Sequence, residues 1–376
     1  MRTVHHSLAA STPGTVHTLT SLHFGAPGPG GKVYIQGSLH ADEVPGMLVA
    51  HHLRGRLAAL EAGGRLRGEV VLVPAANPPG LGQWLLRSHL GRFHQGSGEN
   101  FNRGYLDLSD AVQAAVAGRL GADAAANVAL VRAALRQAVA ALPVAGTLDS
   151  LRHTLYGLAI DADLVLDLHC DGEGLLHFYT TPACWPGLQP LAQAMGARLA
   201  LLAEQSGGDP FDEACSMPWA RLAARLDLQA TPLPQACLAV TIELRGEADV
   251  DHGLAAGDAL AIERFLVERG VAAPAAEPPP PLPPLDCDGL PLAGSMPLHV
   301  PQGGMVVFVR APGERVKAGD TIADLIDPFT GALTPITAPV DGLFFARENR
   351  RFATAGMSIG KVAGHEARRD GALLSP

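Results

Sequence analysis

The sequence predicts an α/β protein with an all-β C-terminal part, and three observations carry that expectation. Over residues 1–276, short apolar runs rich in β-branched residues alternate with helix-length segments, the pattern of strands covered on both faces by helices. A proline block, Glu277–Leu285 (EPPPPLPPL), interrupts that alternation; proline fixes φ and removes the N–H donor, which makes the block an extended, semi-rigid linker. Residues 286–376 change texture to brief β runs separated by turn residues. The expected division is therefore 1–276, an α/β domain, 277–285, a linker, and 286–376, a β domain.

The elements follow in order. Val33–Leu39 and Glu69–Pro74 read as strands with a helix, Pro45–Leu60, between them. Asp163–Leu168 (DLVLDL) and Cys237–Leu244 (CLAVTIEL) are apolar almost throughout and read as central strands. Helical patterns fill Ser109–Ala141, Leu191–Glu204 and Asp258–Arg269. Past the prolines, Met305–Val309, Thr321–Ile326 and Ile336–Phe345 are β runs. Their V-K-x-G-D, I-x-x-L-I and A-P-V-D-G-x-L order resembles the small barrel-sandwich of biotinyl and lipoyl domains. Those domains attach a cofactor to a hairpin lysine, and the corresponding turn here, Asp327-Pro328-Phe329-Thr330-Gly331, has none. The resemblance therefore implies a structural or site-capping module.

Composition narrows the function. The 376 residues are 47% hydrophobic and 17% charged, with 28 Lys+Arg against 37 Asp+Glu and a formal net charge of −9. A nucleic-acid face needs clustered cations, and no such run is present. Five cysteines without a C-x-x-C pair specify neither a disulfide framework nor a thiolate zinc knuckle. No apolar stretch reaches the ~18 residues of a membrane span, and the N-terminal residues lack a basic-then-apolar leader. These features predict a cytoplasmic protein acting on small molecules, with homo-oligomer formation left open.

Residue types that carry chemistry cluster at predicted strand ends. His40 and Glu43 form H-x-x-E after the first strong strand; catalytic zinc is commonly held by His, Glu and a further His with one position left for water. Taken alone, the pair is more often a strand-end imidazole on polar neighbours and a glutamate in a helix's first turn. A third ligand should come from the same rim of the sheet, where His169 ends Asp163–Leu168 and Asp167, two residues back on the same face, can orient its imidazole. Cys170 points the other way and reads as a buried thiol. Glu243 ends another apolar strand, a placement that demands a cation, a metal or a proton-transfer role. Arg92, Asn102 and Arg103 lie in a Gly/Ser/Asn-rich loop; a guanidinium fork grips carboxylates, although surface arginines are the commoner use. His51, His52, His89 and His94 are assigned to structure or solvent.

With these motifs together, G-x-x-H-x-x-E, then R…N-x-N-R, D-L-H, a strand ending in E-L and a small β part, the sequence resembles the succinylglutamate desuccinylase/aspartoacylase family of zinc hydrolases, relatives of the zinc carboxypeptidases. The resemblance implies a carboxypeptidase-like mixed sheet flanked by helices. It implies one zinc ion per chain on His40, Glu43 and His169, Glu243 as general acid/base, Arg92 at the oxyanion, and Asn102 and Arg103 on a substrate carboxylate. The implied activity is hydrolysis of the linear amide of an N-acyl amino acid or a similar small carboxylate-bearing substrate. A metallocarboxypeptidase acting on short peptides, or a non-catalytic metal- or partner-binding protein, are the alternatives. Ala41 and Arg245 stand where the family often has glycine, and the Ala-rich 109–141 segment reads as an insertion.

Overall fold

The computed structural model describes residues 1–277 and 280–374. Pro278 and Pro279 of the expected 277–285 linker, and Ser375 and Pro376, lie outside the described residues. A nine-stranded mixed sheet forms the frame: β1 Arg2–Ser7, β2 Thr18–Gly25, β3 Lys32–Gly37, β4 Glu69–Val73, β5 Leu164–Asp171, β6 Leu176–Thr180, β7 Leu199–Leu202, β8 Leu238–Gly246 and β9 Asp288–Pro291. Their spatial order is β1-β2-β4-β3-β5-β8-β6-β7-β9. The central neighbours β4, β3, β5 and β8 run parallel; β6 runs antiparallel to β8, and β1 and β2 form an antiparallel edge.

Strand periodicity explains why both faces are covered. Along β5, Leu164, Leu166, Leu168 and Cys170 face one apolar layer, which also holds Val49, Leu53 and Leu57 of helix α1 (Pro45–Ala62). Val165 faces the opposite layer, and the alternation of side chains puts Asp167 and His169 on its side of the strand. In β8, Leu238, Val240, Ile242 and Leu244 share the first layer, which leaves Thr241 and Glu243 on the second. Toward the carboxyl ends of the central strands, that second face thus changes from apolar to Gln36, Asp167, His169, Thr241 and Glu243.

Helices α2 (Ser109–Val116), α3 (Ala124–Ala140), α4 (Thr147–Ala159) and α6 (Phe211–Ala223) cover the second face. The first is covered by α1, α5 (Trp185–Met195) and α7 (His252–Glu268). The Ala-rich 109–141 segment is two helices whose Val112, Val116, Val131 and Leu135 are buried in the core. It is therefore part of the scaffold, and none of its residues reaches the cavity described below.

Several element expectations shift. The 191–204 stretch is not one helix: α5 ends at Met195 on the left-handed Gly196, and Leu199–Leu202 becomes strand β7 between β6 and β9. Helix α7 begins at His252, capped by Asp251, whose side chain accepts from Gly253 and Leu254 N–H. Strand β5 continues through His169 and Cys170 to Asp171 because β8 still pairs with it there, Glu243 opposite His169 and Gly246 opposite Asp171, whereas the pairing with β3 ends at Leu168.

After Pro291 the regular elements are a short 3₁₀ turn, Leu292–Gly294, and then strands. These include β10 Ser295–His299, β11 Gly304–Phe308, β12 Thr321–Ile326, β13 Leu333–Thr337, β14 Gly342–Arg347 and β15 Ser358–Ala363. Strands β10, β15 and β14 lie in one sheet, and β13, β12 and β11 in another, with Val306, Ile322, Leu325, Phe344 and Val362 buried between them. The two architectures interlock: β9 pairs with β7 of the large sheet, while Glu173–Gly174 adds to β14.

Candidate active site

The loop leaving β3 is fixed by local chemistry. Ser38 adopts φ +58°, a left-handed conformation that costs a β-substituted residue roughly 1–2 kcal/mol, and its hydroxyl donates to the Glu43 carbonyl at 2.8 Å. The turn closes with Glu43 N–H on the His40 carbonyl at 3.1 Å. A second loop packs on it through Gly91, whose carbonyl accepts from Ala41 N–H at 3.0 Å. A β-carbon at Gly91 would lie 2.3 Å from Asp42 N; only glycine permits that approach, which sets Arg92 beside the His40–Glu43 turn.

His40, Glu43 and His169 converge. His40 Nδ1 lies 2.7 Å from Glu43 Oε1 and His169 Nδ1 lies 2.7 Å from Glu43 Oε2; one potential ligand atom from each lies within 4.8 Å of the others, and all three residues are buried. The outer nitrogens are engaged elsewhere. His40 Nε2 lies 2.8 Å from Asn100 Oδ1, and His169 Nε2 lies 3.0 Å from Asp167 Oδ2, close but without good hydrogen-bond alignment. The oxygen acceptor at His40 Nε2 favours the tautomer that leaves its Nδ1 lone pair facing inward, and Asp167 sets a carboxylate beside His169 Nε2. Asp167 is held in turn: its Oδ1 accepts from Gln36 Nε2 at 2.9 Å, and Gln36 Oε1 accepts from Tyr34 OH at 2.7 Å.

This donor set fits a divalent cation. It offers two imidazole nitrogens and a carboxylate, the ligand types zinc takes in three-residue sites, each aligned by a neighbouring group. Among the described residues it is the only such cluster. Neighbouring charges act on each of the three groups. Burial opposes charge on Glu43, but His40 and His169 outweigh it and keep the carboxyl well below its ordinary range. His40 is pushed down to about 4 by burial and by Arg92. Burial also disfavours charge on His169, yet Asp167 and Glu43 hold it above the usual imidazole range.

Glu243 sits directly across from His169 in the parallel β5–β8 register. Its Oε2 is buried without a hydrogen-bond partner, and burial followed by the charges of Asp171 and Glu43 pushes the carboxyl up to about 8. A half-desolvated acid in that range is suited to exchanging protons near neutrality. Arg92 Nη1 lies 3.1 Å from His40 Nδ1 and 3.2 Å from Glu43 Oε1. Arg103 Nη1 donates to the Asn102 carbonyl at 2.7 Å. The Asn102 amide is committed: Oδ1 accepts from Phe211 N–H at the start of α6 (2.9 Å), and Nδ2 faces His169 Nε2 at 3.5 Å.

All of His40, Glu43, Arg92, Asn102, Arg103, His169 and Glu243 line one cavity of about 640 Å³. Asp167 stands behind His169 and is fully buried. Arg245 is turned away at φ +67° and pairs with Asp258 of α7, so it makes no contact with the cavity. Cys170 is a buried thiol whose N–H donates to Glu43 Oε2 at 3.2 Å.

Several residues at or behind this wall were not singled out by the sequence. Asn100 and Gln36 support the imidazoles, and a buried glutamine inside the apolar run VYIQG was the available signal. His89, assigned to structure, lines the cavity while its Nε2 meets the Gly80 carbonyl at 3.0 Å. Asp212 and Glu213 open α6 at the Arg103 end. Lys361 of β15 reaches Asp171 Oδ1 at 2.9 Å, so the C-terminal strands supply part of the wall.

Residues 29–133 match the family model described as the Succinylglutamate desuccinylase/Aspartoacylase catalytic domain. Among solved structures, a protein of Shewanella amazonensis assigned to the succinylglutamate desuccinylase/aspartoacylase family shares 29% identity over 96% of this chain and 98% of its own, with TM-score 0.85. A counterpart from Shewanella frigidimarina shares 25% identity over 96% of each chain, with TM-score 0.84. The ectoine utilization protein EutE (DoeB) of Ruegeria pomeroyi, at 17% identity over 96% of this chain and 94% of its own, shares the fold with TM-score 0.63. No curated protein matches the chain in sequence. Among the described residues, no helix is long and apolar enough to cross a membrane.

Proposed function

From the premise that this chain resembles the succinylglutamate desuccinylase/aspartoacylase family over nearly its whole length, we propose that it is a zinc-dependent amidohydrolase releasing an acyl group from a small N-acyl amino acid or similar carboxylate-bearing amide. The observation that carries the reading is the convergence of His40 Nδ1, His169 Nδ1 and the Glu43 carboxylate on one point, with Glu243 beside them. His40, Glu43 and His169 would hold a zinc ion, which would supply Lewis acidity to lower the pKa of water and polarise a carbonyl. Glu243 takes the proton of the attacking water; as the C–N bond breaks, it returns that proton to the leaving amine. Arg92 directs its guanidinium toward the carbonyl oxygen where negative charge develops. Arg103 holds the substrate carboxylate. Asn102, whose Oδ1 accepts from Phe211 N–H, acts by fixing the start of α6 beside His169.

We read the C-terminal strands as a barrel-sandwich module that walls this cavity. That wall supports a deacylase over a carboxypeptidase, which needs an open groove for a peptide. The deciding experiment joins metal analysis to an amine-release screen over N-acetyl, N-succinyl and N-formyl amino acids. Glu243→Gln should retain metal and lose kcat by about 10²–10⁴, His169→Ala should lose metal, and Arg103→Ala should chiefly raise KM. Full metal content in His169→Ala, or undiminished kcat in Glu243→Gln, would remove that residue from its role.

A further inference from the structure

One stretch of the cavity wall is apolar and comes partly from the end of the described chain. Tyr179, Leu201 and Leu292 are buried in one cluster, with Ala203, Leu373 and Leu374 packed against it, and all six line the cavity. The 372–374 segment is held in place by polar bonds. Leu373 N–H donates to the Ser206 carbonyl at 2.8 Å, and Arg369 donates to the carbonyls of Leu373 (2.8 Å) and Ser295 (3.0 Å).

The loop beneath it is shaped from both sides. Gly207 (φ +98°) has Ala372 Cα 3.0 Å from where a β-carbon would stand, and Gly208 (φ +78°) has Arg103 Cδ at 2.6 Å. Ala372 and Arg103 therefore sit against adjacent glycines of one turn. A substrate carboxylate on Arg103 would put the amino-acid side chain, one carbon away, on the side of the cavity where this turn meets the 372–374 segment.

The surroundings there disfavour a second carboxylate. Asp212 and Glu213 are 5% and 6% exposed, both line the cavity, and Glu213 Oε2 is buried without a partner; an acidic side chain would have to give up water beside two carboxyl groups that burial already makes reluctant to ionise. Of the wall's other cations, Lys361 pairs with Asp171, Arg369 donates to backbone carbonyls, Arg92 stands beside His40 and Glu43 where the scissile carbonyl is placed, and Arg350 lies at an exposed part of the lining.

We propose that the amino acid released by this site carries an aliphatic side chain, seated against Leu201, Ala203, Leu373 and Leu374, and that acidic amino acids are rejected. This rests on the deacylase reading and names its substrate class. In the zinc-loaded protein, N-acetyl-L-leucine and N-acetyl-L-methionine should exceed N-acetyl-L-aspartate, -glutamate and -lysine in kcat/KM by about tenfold or more, the scale on which an apolar pocket discriminates. Leu374→Lys should raise the aspartate-to-leucine ratio by about tenfold, a gain that loss of folding cannot mimic, and Leu373→Ala should narrow the leucine preference.

Equal or better use of the acidic substrates would overturn the proposal while leaving the deacylase reading intact. Preference for N-acetyl-lysine would overturn it in favour of cation recognition by Asp212 and Glu213. Thermal shift with free leucine and free aspartate reads the same subsite without turnover. If nothing is hydrolysed, the deacylase reading falls; a leucine-specific shift would still support the apolar subsite, and its absence would sink both.

Discussion

Asn100 gives the sharpest test of how the candidate metal ligands are held. It is 4% exposed, and its Oδ1 serves His40 Nε2 at 2.8 Å and Asn102 N–H at 2.8 Å. Asn100→Leu keeps similar bulk and strands both donors in the interior. At about 1–3 kcal/mol for each buried donor left without an acceptor, the variant should lose about 2–6 kcal/mol of stability. It should also release the tautomer of His40, and loss of a group that orients a ligating histidine typically costs about 10–100-fold in metal affinity. Asn100→Asp keeps an oxygen acceptor for both donors and should hold metal to within about tenfold of the parent. Zinc affinity by competition with a chromophoric chelator, alongside urea unfolding of the metal-free proteins, separates the two effects. Unchanged zinc affinity in Asn100→Leu, at any stability, would refute the idea that Asn100 aims His40 Nδ1 at a cation.

Three other outcomes follow from the geometry. Gly91→Ala must move backbone to place its β-carbon 2.3 Å from Asp42 N; a loss of about 1–3 kcal/mol and of about 10²-fold in kcat/KM from misplacing Arg92 against His40 is expected in unfolding and rate measurements, and parental values for both would contradict it. Asp212, raised to about 7 by burial and then by Glu213 and Asp167, binds its proton more tightly folded than unfolded, so between about pH 4 and pH 7 the native state carries the extra proton and stability falls as pH rises. Asp212→Asn should flatten that slope in metal-free protein, and an unaltered slope would exclude Asp212 as its source. Chelation should lower Tm by several degrees, since a ligand at 100 times its Kd contributes about 2.7 kcal/mol; a Tm indifferent to chelator and to added zinc would count against a native-state metal.

Much of this frame is legible in the sequence because burial on two faces writes long apolar runs: VYI, VVLV, LVLDL and LAVTIEL all become central strands. His40, Glu43, His169 and Glu243 are legible for the complementary reason, polar residues standing where such runs end. Other features depend on contacts between distant segments. LALL at 199–202 carries no period of its own and becomes a strand only because β6 and β9 lie beside it. Asn100 differs from any loop asparagine only through His40, sixty residues earlier. Arg245 follows Glu243 by two positions and would share its face in a regular strand, but the left-handed conformation there swings it to Asp258. Lys361 and Leu373 reach the cavity through folding of the C-terminal strands, which local pattern does not report.

The exchange of strands across the proline segment also governs how the gene can be cut. An excision at Asp286 removes Asp288–Pro291 from the edge of the large sheet and bares the backbone of Leu199–Leu202, and the C-terminal fragment loses Glu173–Gly174 from its own border. Each half would present an unpaired ribbon, the surface through which proteins self-associate. Chimeras between relatives should therefore cross over after Pro291 and carry Glu173–Gly174 with the sheet it completes. A junction placed in the prolines, inviting as it looks on paper, should yield aggregates.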